Sequence, residues 1–141
     1  MTISAILNAK GNEIVAVSSI TLVSDAVKIF AERRIGAVPV MDDGKVVGIF
    51  SERDVIYSLA KIGADALTQR VGQVMTSPAL TVSPDDAVMA ALSLMTRRRI
   101  RHLPVTDGGT AIGFVSIGDL VKYRIDKIES EAAAMRDYIA G

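Results

Sequence analysis

The chain contains no cysteine, which removes disulfide bonds, thiol chemistry and any cysteine-held metal. With a single histidine, His102, a zinc ion would need carboxylates for nearly all its ligands, so no metal site is expected. Aromatic residues make up only 4% of the sequence, leaving Val, Ile, Leu, Ala and Met to fill the interior. An excess of charge of either sign is also missing. Sixteen basic and sixteen acidic side chains cancel, which argues against non-specific attraction to nucleic acid or anionic lipid. No apolar run approaches the roughly 18 residues that a membrane span needs. The N-terminus lacks a basic leader followed by an apolar core, so the expected location is the cytoplasm.

The common catalytic and phosphate-loop patterns are absent too. Gly113-Phe-Val-Ser116 has one residue too many before the serine for a nucleophile elbow. Neither Gly-x-x-x-x-Gly-Lys-Ser/Thr nor Gly-x-Gly-x-x-Gly occurs. His102 has no second group at a recognisable spacing to act with it, and the chain reads as non-enzymatic.

What the sequence does have, it has twice. Gly48-Ile-Phe-Ser-Glu-Arg-Asp54 returns sixty-five residues later as Gly113-Phe-Val-Ser-Ile-Gly-Asp119. The same offset, without a gap, pairs Val17 with Val82, Val23 with Val88, Ala26 with Ala91, Arg33-Arg34-Ile35 with Arg98-Arg99-Ile100, and Pro39-Val40 with Pro104-Val105. A match this long is an internal duplication. Each half, of roughly seventy residues, is near the size at which a lone core is marginal, so the halves should depend on one another.

The periodicity predicts a helix over residues 4–11 with a serine cap and a glycine stop. A brief strand at 14–17 follows, then a helix capped by Thr21 with Leu22, Val23, Ala26, Ile29 and Phe30 on one face. Strands at 37–40 and 46–50 flank the turn 42–45, and a helix over 52–62 closes a β-α-β-β-α unit. After a link at 63–68 the pattern repeats: a helix at 71–75, a strand at 80–82, a helix at 87–97 capped by Asp86, and strands at 103–105 and 111–115. The final helix runs on. Val121, Ile125, Ile128, Ala132, Met135 and Ile139 form a heptad seam, either lying on its own domain or meeting a second chain.

In each repeat the strand-to-helix corner brings together a serine and an aspartate three residues on: Ser51 with Asp54, and Ser116 with Asp119. Two uses fit this spacing. The pair can be a capping box, or the carboxylate can take the hydroxyls of a ribose beside the helix N–H groups. Arg101 and His102, just before a strand, are placed to face phosphate, whereas Arg97, Arg98 and Arg99 also suit a solvated helix end. A nucleic-acid role for this basic run lacks interleaved aromatics and net positive charge.

These features resemble the cystathionine-β-synthase (CBS) domain family, as a stand-alone tandem pair. The resemblance is carried by the paired Gly-x-x-Ser-x-x-Asp motifs, the two Pro-Val strands and Val74-Met75-Thr76-Ser77-Pro78 opening the second repeat. It implies a mixed α/β (α+β) fold of two β-α-β-β-α repeats, 1–68 and 69–141, packed about a pseudo-twofold axis. It further implies a regulatory, nucleotide-sensing module that binds an adenosine-containing ligand between the repeats, homodimerises and signals to a partner protein. AMP comes first among the ligands, with ATP, ADP, NAD(H) and S-adenosylmethionine as others; the alternative is a scaffolding module with no small-molecule ligand. On the family pattern Ser116, Asp119, Ser51 and Asp54 hold ribose. Arg101 and His102 reach phosphate, and the base lies near Thr81 or Val17. Gly36 and Ala37 replace the basic pair in the first repeat. That site is left to borrow phosphate contacts across the axis, to use Arg53, or to stay empty.

Overall fold

The computed structural model describes residues 1–140. Its elements in order are α1 (Ile3–Lys10), α2 (Val23–Arg33), β1 (Ala37–Asp42), β2 (Lys45–Ser51), α3 (Glu52–Ile62), a 3-10 turn (Gly63–Thr68), α4 (Val71–Val74), α5 (Val88–Arg98), β3 (His102–Asp107), β4 (Thr110–Ser116) and α6 (Ile117–Ala140). Both hairpins form where expected, β1 on β2 and β3 on β4. A single bridge between Lys45 and Thr110 joins them into one antiparallel sheet of order β1-β2-β4-β3. The two repeats are thus related by a pseudo-twofold axis at the sheet centre.

The strands expected at 14–17 and 80–82 survive only as single parallel bridges, Val17 to Val40 and Val82 to Val105. The cause lies in their partners. Val17 N–H donates to the Pro39 carbonyl and its own carbonyl accepts from Met41. The next rung back would need an N–H on Pro39, which proline lacks. Pro104 ends the second ladder in the same way.

Two apolar clusters form the core, and each draws on both repeats. The first contains Val17, Val23, Ala26, Phe30, Val38, Val40, Phe50 and Val71, with Phe30 and Phe50 stacked at 5.8 Å. The second contains Val82, Val88, Ala91, Met95, Leu103, Val105, Val115 and Leu120 together with Ile3, Ile6 and Leu7 of α1. So α1 packs into the second repeat's interior, while α4 packs into the first. Their corresponding residues Ile6 and Val71 are both buried.

This exchange also explains why three expected caps are not made. The first N–H of α2, on Val23, donates to the Gln69 carbonyl, and that of α5, on Val88, to the Met1 carbonyl. Backbone from the crossing segments satisfies helix donors that a side chain would otherwise serve. Thr21 instead accepts from Ser18 N–H, and Asp86 from Ser83 N–H. At α1 the N-cap is Thr2, without a side-chain bond, and Ser4 N–H donates to the Pro84 carbonyl. Gly11 does end α1, at φ 94°.

The motif glycines have a packing reason that periodicity did not reveal. A Cβ on Gly48 would lie 2.8 Å from the Thr76 carbonyl oxygen and 2.7 Å from the Met75 sulfur; one on Gly113 would lie 2.6 Å from a Leu7 methyl. Each glycine lets the exchanged segment lie directly on the sheet.

α6 docks through Leu120, which is buried, and then extends away. Along its seam Val121, Ile125, Ile128, Met135 and Ile139 are exposed, the last at 76%. Ile56 on α3, which corresponds to Val121, is exposed as well. The seam therefore does not lie on its own domain. Among the described residues, no helix is long and apolar enough to cross a membrane.

Candidate functional site

Both strand-to-helix corners are capping boxes. Ser51 N–H donates to Asp54 Oδ2 at 2.9 Å, and Asp54 N–H to Ser51 Oγ at 3.4 Å. Ser116 N–H donates to Asp119 Oδ2 at 2.8 Å, and Asp119 N–H to Ser116 Oγ at 3.1 Å. The serines end β2 and β4 in extended backbone, so their side chains meet the first turn of the following helix. Capping leaves part of each carboxylate for other partners, and there the two corners differ.

At Asp54 the remaining oxygen, Oδ1, accepts the Thr76 hydroxyl at 3.0 Å. Ser77 beside it donates to the Val47 carbonyl, so residues 75–77 lie over this corner. At Asp119 the partner is Lys10, the last residue of α1. Its ammonium donates to Oδ2 at 2.7 Å and to the Phe114 carbonyl at 2.8 Å. Both the lysine and the capping N–H bond to Oδ2, leaving Oδ1 as the acceptor for a further donor.

Around Asp119 lies a cleft of about 380 Å³ lined from both repeats. One wall carries Ser116, Asp119, Phe114 and His102, the other Arg34, Ile35, Gly36 and Ala37, with Lys10, Glu13 and Val15 between them. A second lobe of about 250 Å³ shares Lys10, Glu13, Val15 and Ile35 and adds Gly11 and Arg33. Arg34 is the left-handed C-cap of α2, at φ 54°. That conformation costs a non-glycine residue free energy. The cleft matches a small-ligand site in kind: concave, largely apolar and carrying a few convergent polar groups.

Electrostatics separate the titrating groups. Burial pushes the Asp119 carboxyl up, but the Lys10 ammonium and the Ser116 donors together hold it below its ordinary value. His102 stacks on Phe114 with ring centres 5.6 Å apart. Burial lowers its pKa below the usual 6.5, Asp119 and Glu52 oppose that shift, and Arg101 and Lys10 add to it. Among the described residues no cluster of three His, Asp or Glu is placed to hold a metal ion.

The expected site residues fall into three groups. Ser116, Asp119 and His102 come together in the cleft. Ser51 and Asp54 sit at the corner under Thr76, and Arg53 beside them donates to the Arg99 carbonyl at 3.4 Å. Arg101, Thr81 and Val17 lie outside the cleft lining. Arg101 is exposed and accepts from Ile117 N–H through its carbonyl, Thr81 is exposed, and Val17 belongs to the first core. The apolar side chains in the cleft are instead those of Val15, Ile35, Ala37 and Phe114.

Lys10 and Arg34, the cations at the cleft, were not among the expected residues. Arg34 carried one usable signal: it is the counterpart of Arg99, in a position where both backbones turn left-handed. Lys10 carried none locally, since its carboxylate partner lies 109 residues away.

Comparisons with known proteins agree with this fold. The CBS domain family model matches residues 10–61 and again 71–126. The chain is 36% identical over 124 residues to CBS domain-containing protein CBSX3, mitochondrial, of Arabidopsis thaliana; the match covers 84% of this chain and 60% of that protein. Among solved structures, the CBS-domain protein ATU1752 of Agrobacterium tumefaciens superposes with a TM-score of 0.84 at 36% identity, covering 88% of this chain and 99% of the other. The CBS domain protein PAE2072 of Pyrobaculum aerophilum, solved as a complex with AMP, gives 0.74 at 25% identity, covering 84% and 89%.

Proposed function

The chain belongs to the CBS-domain family as a tandem pair, and from that premise we propose that it is a non-catalytic regulatory module that binds an adenine nucleotide in the cleft at Asp119. One observation carries this reading. A capped carboxylate with one oxygen to spare shares a cleft built from both repeats with two cations and four apolar side chains. The AMP complex of the Pyrobaculum relative supports AMP as the first ligand to test, ahead of ATP, ADP, NAD(H) and S-adenosylmethionine.

On this reading Asp119 Oδ1 accepts the ribose hydroxyls, and Ser116 holds that carboxylate in place. Val15, Ile35 and Phe114 cover the base, and Arg34 meets the phosphate. The Asp54 corner stays empty or binds more weakly, because a ligand there must displace Thr76. With repeats 1–68 and 69–141 contributing opposite walls, a ligand draws them together. That movement is the signal read by a partner protein in the cytoplasm. The exposed seam of α6, with Ile56 of α3, supports a homodimer.

A scaffolding module without a ligand is the second reading, favoured by the capping role that both aspartates already have. Calorimetric titration of the purified protein with AMP, ADP, ATP and NAD separates the two. Saturable binding of at least one nucleotide is expected, and no heat or thermal shift with any of them leaves scaffolding.

A further inference from the structure

Lys10 lies where a simple ribose-binding corner has no need of a cation. It comes from α1, crosses to the second repeat, and places its ammonium 2.7 Å from Asp119 Oδ2 and 2.8 Å from the Phe114 carbonyl oxygen. It also lines both lobes of the cleft. At the corresponding position of the other half stands Met75, whose sulfur packs on Gly48 while Thr76 serves Asp54. Only one of the two corners therefore carries this charge.

We propose that Lys10 is the specificity-determining residue of the Asp119 cleft, selecting nucleotides that carry an anionic phosphate over the uncharged nucleoside. The inference rests on the reading of that cleft as a nucleotide site. An ammonium has three N–H donors, and two are placed by Asp119 and Phe114. The third remains for an oxygen of the ligand. Lys10 also offsets the Asp119 charge, without which a carboxylate and a phosphate would share a partly buried cleft. Of the other charges at the cleft, Glu13 is paired with Arg33 at 3.6 Å, leaving Lys10 and Arg34 as its cations. An uncharged nucleoside offers the third donor only neutral hydroxyl and ether oxygens, a weaker bond than one to an ionised phosphate. It can lose the second carboxylate oxygen, which Lys10 already holds.

Isothermal titration with AMP and with adenosine tests this on the wild type, Lys10→Met and Lys10→Arg. Methionine is the natural replacement because the other repeat carries it at the matching place. Loss of a charge-assisted bond predicts a Kd for AMP raised about tenfold to a hundredfold in Lys10→Met. Adenosine should change by less than about threefold, and Lys10→Arg should keep the preference for AMP. Equal weakening of AMP and adenosine, or no change in either, would overturn the selector role while leaving the cleft a nucleotide site. A wild type that binds neither probe overturns the nucleotide reading itself, and the Lys10 role with it.

Discussion

Thr76 gives its hydroxyl to Asp54 Oδ1 at 3.0 Å, whereas at Asp119 the Lys10 contact falls on Oδ2, the oxygen already used for capping. AMP should therefore fill one tight site per chain. Asp54→Ala should leave its affinity within about threefold, and Asp119→Ala should raise Kd about thirtyfold, the loss of about 2 kcal/mol. Both substitutions remove a cap and should lower stability by about 0.5–2 kcal/mol, so melting temperature alone does not decide between roles. The ligand-dependent increment does. At a hundred times the wild-type Kd it is about 2.7 kcal/mol for the wild type and below about 1 kcal/mol for Asp119→Ala. An undiminished increment in Asp119→Ala would mean that the aspartate only caps α6.

The two motif glycines should not be equally sensitive. At Gly48 an added methyl meets the Thr76 backbone carbonyl, which cannot move without shifting residues 75–77. At Gly113 it meets the end of the Leu7 side chain, which can rotate. Gly48→Ala is expected to cost about 2–3 kcal/mol and Gly113→Ala about 1 kcal/mol, within the range for overpacking. Urea denaturation of the two variants checks the order, and a reversed order would contradict it.

His102 gives the protein a pH dependence of definite sign. Its folded-state pKa lies below 6.5, so between the two values the unfolded chain binds more protons. Stability should fall as pH drops through 6.5 and level off below the folded value. His102→Phe keeps a ring against Phe114 and removes the titration. Melting temperature plotted against pH should lose this limb in the variant. The Asp119 limb, which disappears as pH falls from 3.8 through that group's lowered folded value, should remain. An unchanged profile in His102→Phe would assign the dependence to other groups.

The exposed face of α6 should be covered in solution. Sedimentation equilibrium at micromolar concentration is expected to give twice the 15.0 kDa chain mass. Ile128→Glu with Met135→Glu, which puts charge on two exposed seam positions, should shift the protein toward monomer. A dimer indifferent to both substitutions would place the interface elsewhere.

The duplication made the hairpins, the helices and the capped corners legible, because each rests on local spacing written twice. The first strand of each repeat was overestimated, since its apolar residues satisfy the pattern while Pro39 and Pro104 withhold the donor a longer ladder needs. The caps at Ser4, Thr21 and Asp86 were misplaced for one reason: the helices they preceded take their hydrogen bonds from distant backbone. At the cleft, Ser116, Asp119 and His102 were visible because they sit beside motif positions. Lys10 was not, because no period in a sequence encodes a contact made by exchanging a helix between repeats.

That exchange has a consequence for how the molecule holds together. A cut within Gly63–Thr68 would leave a leading fragment whose α1 sits inside the trailing one, and a trailing fragment whose α4 sits inside the leading one. The pieces should stay bound as a clasped pair, and neither should fold by itself. By the same geometry, two unlinked copies of one repeat, each passing its leading helix to the other, would build a symmetric version of this molecule with identical clefts. In the single chain the two sides are free to differ, and they do, with a lysine at one corner and a methionine at the other.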